Sequence, residues 1–551
     1  MRQYLLIFVM SFTSLIANAQ ESKIYVDMGT RGHDVSASMY GMFFEEINHA
    51  GDGGLYAEML QNRGFEEQAY PSGTKYSNGR VTAPHAQNYY GGWYADFSID
   101  WNLEAKKWTG WTVTNSGCTL TKDVQKPDVP LHENTPNALH LSITGASTTA
   151  NVNVTNSGYW GVATTKGATY KLRFYLKGNT AAKIKAQFVT KAGKAFGTSD
   201  FNMMDDGEWH EYTGTLTATE TMTDGTFRLQ LSDFGDKAAT YDIDYVSLFP
   251  TDTYKGHENG MRRDVAEMLE GLHPNFLRWP GGCIVEGFTL ENRVKWKETL
   301  GDPMTRRGEY SLWGYRSTYG LGMYEFLQLC EDMGMDGMFV ANVGISCSIR
   351  NGDFIEASDE KALLPYRQDI EDAIEYAIGD PLTNEWAAKR AAAGHPEPFP
   401  LKYVELGNEN GTDRYVKRFA FFYNYLKQKY PQITFINTMS WNDASQFKKT
   451  DMFDVHWYVA PDEFYNSATL FDTAPRGNYT IYAGEYATNN DVGSGNMEAA
   501  LSEAVFIGNM ERNSDFVTMA SYAPLLENVH APNWAYEISE ENLFKQSLFP
   551  I

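Results

Sequence analysis

The sequence predicts an α/β fold, a (β/α)8 TIM barrel into which an all-β jelly-roll sandwich is inserted. Eight apolar, strand-like runs occur from 38–46 to 516–522, and they alternate mostly with helical patterns. Between about 95 and 250 the helical patterns stop, and short alternating runs are separated by clusters of Gly, Asn, Asp and Thr. Alternating strands and helices are typical of a parallel barrel, whereas short strands with frequent turns are typical of a sandwich.

The first barrel unit consists of a strand at 38–46 and a predicted helix at 55–63, where Tyr56, Met59 and Leu60 share one face. The sandwich interrupts the barrel after this unit. Its clearest strands are predicted at 170–176, 182–189, 214–218, 226–231 and 241–249. Such an insertion lowers the stability of the barrel only slightly, because the entropic cost of closing a surface loop grows slowly with the length of the loop.

The alternation of helix and strand resumes after Pro250. Helices are predicted at 258–272, 319–333, 367–378, 384–393, 415–430 and 496–513. Strands are predicted at 275–279, 337–342, 403–406, 433–439, 453–458, 479–485 and 516–522. Together with 38–46 these make eight strands, the number of a closed TIM barrel.

These patterns divide the chain into five segments. We predict a signal peptide at 1–19, a leading strand and first barrel unit at 20–94, the sandwich at 95–250, the remainder of the barrel at 251–522, and a truncated or vestigial C-terminal β region at 523–551. The first segment contains Arg2, then an apolar run, and then Ala17-Asn18-Ala19. This order is the pattern of a cleavable secretory signal. We therefore expect a secreted or periplasmic protein without a membrane span.

Charge and cysteine content argue against several classes of function. The 551 residues include 46 Lys and Arg against 70 Asp and Glu, a formal net charge of −24. An acidic protein is a poor partner for nucleic acid or for an anionic membrane. Cys118, Cys283, Cys330 and Cys347 are too few for a disulfide framework, and no Cys or His spacing suggests a metal site. We expect no cofactor and no metal, and the sequence leaves open whether the chain is an oligomer.

Polar side chains follow several of the predicted strands, at the end where barrel enzymes place their chemistry. In chain order they are Glu45, Cys283, Asn342, Asn408, Glu409, His456, Tyr458 and Glu485. Glu409 and Glu485 end the fourth and seventh strands, and two such carboxylates are what acid-assisted cleavage of a glycosidic bond requires. A separation of about 5 Å would indicate retention of configuration and a wider gap inversion, and the sequence leaves this distance open.

Six stretches resemble a known family: 40–48, 53–66, 277–283, 405–409, 456–458 and 484–486. The most specific are Gly-Gly-Leu-Tyr-Ala-Glu at 53–58 and Arg-Trp-Pro-Gly-Gly at 278–282. In these stretches, from its first barrel strand to its seventh, the chain resembles the α-L-arabinofuranosidases of glycoside hydrolase family 51. The resemblance implies that Glu409 is the general acid/base and Glu485 the nucleophile. It also implies that Asn408 binds the furanose hydroxyl beside the anomeric carbon.

The resemblance implies roles for further residues around the two glutamates. Glu45 and Cys283 would line the arabinose pocket, and His456 and Tyr458 would lie near the acid/base and the nucleophile. Simple packing is an alternative for Cys283 and for His456. The remaining candidates for substrate binding are Arg278, Trp279 and Asn342, and we expect the arginine to orient strand-end carboxylates rather than touch substrate.

The activity that the resemblance implies is that of a retaining exo-α-L-arabinofuranosidase. Such an enzyme releases terminal arabinofuranose from arabinofuranosyl-containing glycans, here plant polysaccharides or oligosaccharides, without a cofactor. One alternative is a β-xylosidase or endo-glucanase on the same scaffold. Another is a non-catalytic glycan-binding protein, against which the presence of both Glu409 and Glu485 argues.

The resemblance extends to the segments outside the barrel. The sandwich at 95–250 resembles carbohydrate-binding modules of the family 4/9 type. Aromatic residues that could stack on sugars there are Trp101, Trp108, Trp111, Tyr159, Trp160 and Trp209. Family members usually carry a further β-sandwich after the barrel, and because only 29 residues follow Tyr522 we expect that region to be vestigial or truncated.

Overall fold

The computed structural model describes residues 34–83, 98–235, 238–347, 352–490 and 496–527, together with Gly29 and 549–550. The predicted signal peptide and the leading strand near Lys23 lie outside these residues. The predicted boundary at 94 and most of the C-terminal region at 523–551 lie outside them as well. Of that region, Leu526–Glu527 is described as a short strand that pairs in parallel with Phe549–Pro550.

Eight parallel strands form a closed barrel in the order in which they occur along the chain. We number them β1 to β8: Tyr40–Phe43, Phe276–Trp279, Asp336–Ala341, Leu401–Leu406, Thr434–Asn437, Met452–Val459, Thr480–Thr488 and Val517–Tyr522. The barrel closes between β8 and β1, where Tyr40 lies beside Ala520 and Met42 lies beside Tyr522. The predicted TIM barrel is therefore confirmed.

Helices connect most of these strands. The α-helices of the described barrel segments are α1 Arg263–Glu270, α2 Met323–Met333, α3 Glu360–Ile378, α4 Glu385–Ala392, α5 Thr412–Lys429, α6 Pro461–Asn466 and α7 Met497–Arg512. The side chains of Asp359, Asn384 and Asn496 cap α3, α4 and α7 by accepting backbone N–H groups of the first turn. In the described part of the chain, no helix has the length and apolar character needed to cross a membrane.

The helix predicted at 55–63 is wrong, because this segment forms no regular helix. The backbone N–H of Met59 donates to the carbonyl of Leu248, and the carbonyl of Arg63 accepts from the N–H of Val246. The second half of the segment thus pairs with the last sandwich strand, while Ala57 donates to the carbonyl of Gly260. This long-range pairing outweighs the local helical pattern, as tertiary contacts commonly do.

The barrel interior is built in layers by the two-residue periodicity of its strands. An apolar layer takes one residue from each of β2 to β8: Phe276, Met338, Tyr403, Ile436, Met452, Tyr482 and Met519. Two residues further along β2, β4 and β6, the strands carry the buried charged residues Arg278, Glu405 and Asp454. The apolar layer therefore lies beneath a charged layer, and the C-terminal ends of the strands lie above both.

The inserted segment folds into two sheets around one apolar core. One sheet contains, in spatial order, His210–Thr217, Thr169–Gly178, Ala239–Pro250, Ala138–Thr144 and Thr119–Gln125. The other contains Ala195–Asn202, Lys183–Val189, Met222–Ser232, Asn151–Asn156 and Trp111–Ser116, with Val162–Thr164 paired to its third strand. Smaller elements nearby are the strands Lys75–Ser77, Arg80–Thr82, Ser98–Asp100, Glu309–Tyr310 and Arg316–Ser317 and the short helix Leu103–Lys107. Each of the five predicted sandwich strands overlaps one of the observed strands.

The carboxylate of Glu58, which forms a buried ion pair with Arg63, joins the segment that follows β1 to the sandwich. The carboxylate of Glu58 accepts the hydroxyl of Ser247 at 2.6 Å and the N–H of Leu248 at 2.9 Å. Arg63 Nη1 donates to the same carboxylate at 3.2 Å, and neither side chain is more than 4% exposed. A charge buried this deeply is stable only while its partner remains, so the pair holds the two parts in one arrangement.

The sandwich also reaches the C-terminal end of the barrel strands. The ring of His49, in the loop after β1, stacks on Tyr315 with centroids 3.8 Å apart and meets the edge of Trp160 at 5.2 Å. The hydroxyl of Tyr315 donates to Glu46, the neighbour of Glu45. The insertion is therefore packed against the loop that carries the first of the candidate site residues.

We predict that Glu58→Ala lowers the free energy of unfolding by about 3–5 kcal/mol, because it leaves the charge of Arg63 buried without its partner. Urea unfolding followed by fluorescence measures this loss. The matched control is Glu104→Ala, which removes an exposed partner of Lys107 and should cost at most about 1 kcal/mol. A loss of the same size in both variants would contradict the structural role of the buried pair.

Candidate active site

A cavity of about 330 Å³ opens at the C-terminal end of the barrel. Its lining residues are Phe43, Glu45, Ile47, Gly282, Cys283, Trp313, Glu409, Tyr458, Glu485, Ala487, Asn489, Asn490, Ala523 and Pro524. The cavity thus brings together five of the ten candidate residues, from β1, β2, β4, β6 and β7. Its volume lies at the lower end of the range of about 300–1,000 Å³ for small-molecule sites.

The two candidate glutamates face each other in this cavity. One oxygen of Glu409 and one of Glu485 lie within 4.8 Å of each other, and a ring nitrogen of His456 lies within the same distance of both. In inverting glycosidases the carboxyl groups are about 6.5–9.5 Å apart, because a water molecule must fit between carboxylate and sugar. The observed spacing is shorter than the range of the inverting enzymes.

Glu485 is held at both oxygens. The hydroxyl of Tyr458 donates to Oε2 at 2.6 Å, and Arg278 Nη1 donates to Oε1 at 2.8 Å. The side chain of Glu485 is only 8% exposed. Its carboxylate is therefore fixed in direction as well as in position, which a nucleophile that attacks one carbon atom requires.

Arg278 lies beneath the cavity and has no exposed surface. Its Nε and Nη2 donate to the two oxygens of Glu405 at 2.6 and 3.0 Å, and Nη2 also donates to Asn408 Oδ1 at 2.9 Å. With the bond to Glu485, the planar guanidinium fixes three side chains on β4 and β7 relative to one another. Arg278 is thus placed to orient the site, and it does not line the cavity.

A chain of hydrogen bonds runs from Glu409 through His456 to Asp454. His456 Nδ1 lies 2.8 Å from Glu409 Oε1, and Nε2 lies 2.9 Å from Asp454 Oδ2. Burial disfavours the charged imidazole, but the charges of Glu485 and Asp454 outweigh it and raise the pKa of His456 well above its usual value. Burial also opposes a charge on Glu409, but the hydrogen bond and charge of His456 lower the pKa of Glu409. Both shifts favour the form in which the proton of this pair lies on His456.

Glu45 is a buried carboxyl group just after β1. Its Oε1 accepts from Trp313 Nε1 at 2.8 Å and from the N–H of Ile284 at 3.2 Å. Burial, and next the charge of Glu485, raise the pKa of Glu45 well above its usual value, which favours the protonated form, a hydrogen-bond donor. Gly282 permits the approach, because it has φ of +60° and a Cβ there would lie 2.2 Å from the carboxyl carbon of Glu45.

Asn408 lies just behind the cavity, next to Glu409. Its Nδ2 donates to Glu286 at 3.4 Å, and Asn410 Nδ2 donates to the other Glu286 oxygen at 2.7 Å. Glu409 itself has φ of +47°, a left-handed conformation that costs a non-glycine residue on the order of 1–3 kcal/mol. The contacts of Asn408 and Asn410 hold this turn in place.

Two candidate residues lie away from the cavity. The amide of Asn342 donates to the carbonyls of Val285 and Ile345 and accepts the N–H of Gly344, so its side chain holds the loop after β3. Trp279 is 7% exposed and stacks on Phe326 in the core between barrel and helices, with centroids 5.0 Å apart. The structure gives neither residue a surface that faces the cavity.

A second cavity, of about 640 Å³, lies on the other side of Glu409. Residues from the loops after β4, β5 and β6 line it, among them Thr412, Ser440, Trp441, Asn442, Asp443, His456, Trp457 and Glu463. Of the two candidate glutamates, only Glu409 borders both cavities, whereas Glu485 borders the smaller one.

Comparison with known proteins agrees with this geometry. Residues 268–476 match a family described as the α-L-arabinofuranosidase 1 domain, and residues 478–550 match the α-L-arabinofuranosidase C-terminal domain. The chain is 35% identical over 511 residues to α-L-arabinofuranosidase 2 of Arabidopsis thaliana, which covers 91% of this chain and 68% of that protein. The chain belongs to the α-L-arabinofuranosidases of glycoside hydrolase family 51.

Other family 51 relatives are similar over most of the chain. The extracellular exo-α-L-arabinofuranosidase of Streptomyces chartreusis is 33% identical over 546 residues, which are 95% of this chain and 59% of that protein. The chain thus spans less than two thirds of the length of that relative. The arabinose-bound structure of the family 51 enzyme MgGH51 superposes with a TM-score of 0.78 at 32% identity and covers 91% of this chain and 77% of that one.

Several residues of this family 51 site were not found from the sequence. Asp454 stands two residues before His456 on β6, and the two-residue period of a strand was the signal that places both on one face. Trp313 comes from a loop between β2 and β3, and no local pattern indicates that its indole reaches Glu45. Glu286 follows the Arg-Trp-Pro-Gly-Gly motif closely but carries no sign of its contacts with Asn408.

We predict that Arg278→Lys destabilises the protein by about 3–5 kcal/mol, because an ammonium group cannot make the forked contacts with Glu405 and Glu485. Chemical unfolding measures the loss. The matched control is Arg262→Lys on the surface, where the change should stay within about 0.5 kcal/mol. Wild-type stability in the Arg278 variant would show that the fork does not hold the strand ends together.

Proposed function

We propose that this chain is a retaining exo-α-L-arabinofuranosidase that releases terminal arabinofuranose through a two-glutamate double displacement. The observation that carries the proposal is the spacing of Glu409 and Glu485, whose oxygens come within 4.8 Å at one cavity. A spacing this short supports a covalent intermediate, because it leaves no room for a water molecule to attack the opposite face of the sugar.

In the first step Glu485 attacks the anomeric carbon and the bond to the leaving-group oxygen breaks. Arg278 and Tyr458 direct the attacking carboxylate. The leaving oxygen takes its proton from Glu409, which draws on the proton held by His456 at 2.8 Å. As Glu485 becomes an ester it loses its negative charge. Among the charges that raise the pKa of His456, that of Glu485 has the largest effect. The proton therefore becomes easier to release in the step that requires it.

In the second step a water molecule attacks the anomeric carbon of the glycosyl-enzyme. Glu409, now ionised, takes a proton from this water, and the ester bond to Glu485 breaks. The carboxylate of Glu485 returns to its bonds with Arg278 and Tyr458. The proton on Glu409 passes back to His456, because the restored negative charge of Glu485 again favours the imidazolium form.

The smaller cavity supports exo-action on a single furanose. We propose that the protonated carboxyl of Glu45 donates to one sugar hydroxyl, while the thiol of Cys283 packs against the ring. The side-chain amide of Asn408 donates one N–H to Glu286, and its second N–H would donate to the hydroxyl beside the anomeric carbon. The general acid must lie beside the leaving group that it protonates. The larger cavity beside Glu409 would therefore hold the remainder of the glycan.

We further propose that the glycan is a plant polysaccharide or oligosaccharide, and that the protein is secreted by its predicted signal peptide. For the sandwich, the exposure of the tryptophans decides which of them could bind a glycan. Trp101 and Trp111 are 1% and 3% exposed and belong to the core, whereas Trp160 is 39% exposed and is the better candidate for stacking on a sugar. Its contact with His49 would place such a sugar beside the catalytic end of the barrel.

We predict that Glu485→Ala lowers the rate of arabinofuranoside hydrolysis on the order of 10⁴-fold or more, because the nucleophile is lost. Release of nitrophenol from a nitrophenyl α-L-arabinofuranoside measures it. Glu498→Ala, an exposed glutamate on α7, should keep the wild-type rate. Hydrolysis by the Glu485 variant at a rate near wild type would overturn the assignment. A panel of nitrophenyl glycosides separates this activity from a β-xylosidase or glucanase.

We predict that Glu409→Ala slows substrates with poor leaving groups by about 10²–10⁴-fold, and activated aryl substrates much less, because only the former need the proton. Added azide should restore turnover of the activated substrate and yield a glycosyl azide of retained configuration, which NMR identifies. Equal losses on both substrate classes, without rescue, would exclude Glu409 as the general acid/base.

A further inference from the structure

A thiol-rich cluster lies directly beneath the proposed sugar cavity. Ligand atoms of Cys283, Glu286 and Cys347 all lie within 4.8 Å of one another; Glu286 and Cys347 are buried, and Cys283 is half-buried. Of these, Cys283 also lines the cavity. In the part of the chain that the structure describes, the four cysteines form no disulfide, so both sulfur atoms are present as thiols.

The backbone holds the three groups close together. Cys283 and Glu286 stand one turn apart on a short 3-10 helix, Cys283–Val285, where the N–H of Glu286 donates to the carbonyl of Cys283 at 3.0 Å. The N–H of Cys347 donates to the carbonyl of Gly287 at 2.9 Å, which brings the loop after β3 onto the same turn. The cluster therefore requires little rearrangement to act as one unit.

The carboxylate of Glu286 is oriented from behind. Asn410 Nδ2 donates to its Oε1 and Asn408 Nδ2 to its Oε2. Outer hydrogen bonds of this kind fix the direction of a metal ligand and tune its affinity. Two sulfur ligands and one carboxylate oxygen are a donor set of zinc sites, with bonds of about 2.3 Å to sulfur and about 2.0–2.2 Å to oxygen. In a tetrahedral site such bonds place the ligand atoms about 3.4–3.8 Å apart, so the three groups, now within 4.8 Å of one another, would close by at most about 1 Å on binding.

We propose that Cys283, Glu286 and Cys347 form a binding site for a thiophilic divalent ion such as Zn²⁺ or Cd²⁺, and that occupation of this site inhibits the enzyme. The ion enters through the sugar cavity, where Cys283 is accessible, and the fourth position stays open toward that cavity. On binding, the two thiols release their protons to the solvent, the Cys283 sulfur moves away from the sugar, and the ion engages Glu286, the partner of Asn408. The binding stands on geometry alone, whereas the inhibition rests on the proposed function.

The test is a titration of the full-length protein with CdCl2, followed by the ultraviolet charge-transfer absorption of cadmium–thiolate bonds. We expect one ion per chain, with loss of arabinofuranoside hydrolysis at the same concentrations and weaker binding when arabinose is present. In Cys347→Ala and Cys347→Ser the affinity should fall more than about a hundredfold, since even loss of an outer partner of a ligand costs about 10–100-fold. Hydrolysis without metal should remain near wild type in these variants.

The matched control is Cys330→Ala, which removes another buried thiol on α2 and should change neither the absorption nor the inhibition. The proposal is overturned if the wild-type protein gains no thiolate absorption, or if the Cys347 variants bind Cd²⁺ as tightly as wild type. Inhibition that persists in the Cys347 variants would place the ion at Glu409, His456 and Glu485 instead, and would also overturn it. Thiolate absorption in a protein without arabinofuranosidase activity would support the site while rejecting the proposed function.

Discussion

The buried guanidinium of Arg278 is the interaction on which the rest of the site depends. It contacts Glu405 with two bonds, Glu485 with one and Asn408 with one, and the side chains of Arg278, Glu405 and Asn408 are buried, whereas Glu485 borders the cavity. A buried cation is stable only with its partners in place. The strand ends of β2, β4 and β7 are therefore locked to one another, and the spacing between Glu409 and Glu485 follows from that lock.

Charge balance around this arginine sets the protonation of the site. Burial raises the pKa of Glu405 to about 8, although the charge of Arg278, which donates to both of its oxygens, opposes this rise. Burial raises the pKa of Glu45 likewise. His456 instead gains a proton from the charges of Glu485 and Asp454. Neighbouring carboxyl groups thus divide into proton holders and anions, as two-carboxylate chemistry requires.

The inserted sandwich takes part in shaping the catalytic end. It fills the position after β1 where a helix would ordinarily follow, and its last strand supplies the hydrogen bonds that Met59 and Arg63 would otherwise make within a helix. Through His49 and Tyr315 it also touches the loop that carries Glu46. The insertion and the barrel consequently share a boundary that is polar, buried and close to the site.

The sequence by itself determined the barrel and its two glutamates, because a strand that ends in glycine and a carboxylate is a local pattern. It also indicated that Arg278 orients carboxylates. Only the tertiary structure decided the rest. In the structure, residues 55–63 do not form a helix, and the second half of this segment pairs with a sandwich strand. Asn342 and Trp279 lie away from the cavity, and Trp313 contacts Glu45. The tertiary structure also joined Cys347 to Cys283 and Glu286 across about sixty residues of chain. These outcomes depend on partners distant in the chain, whose contacts no local periodicity encodes.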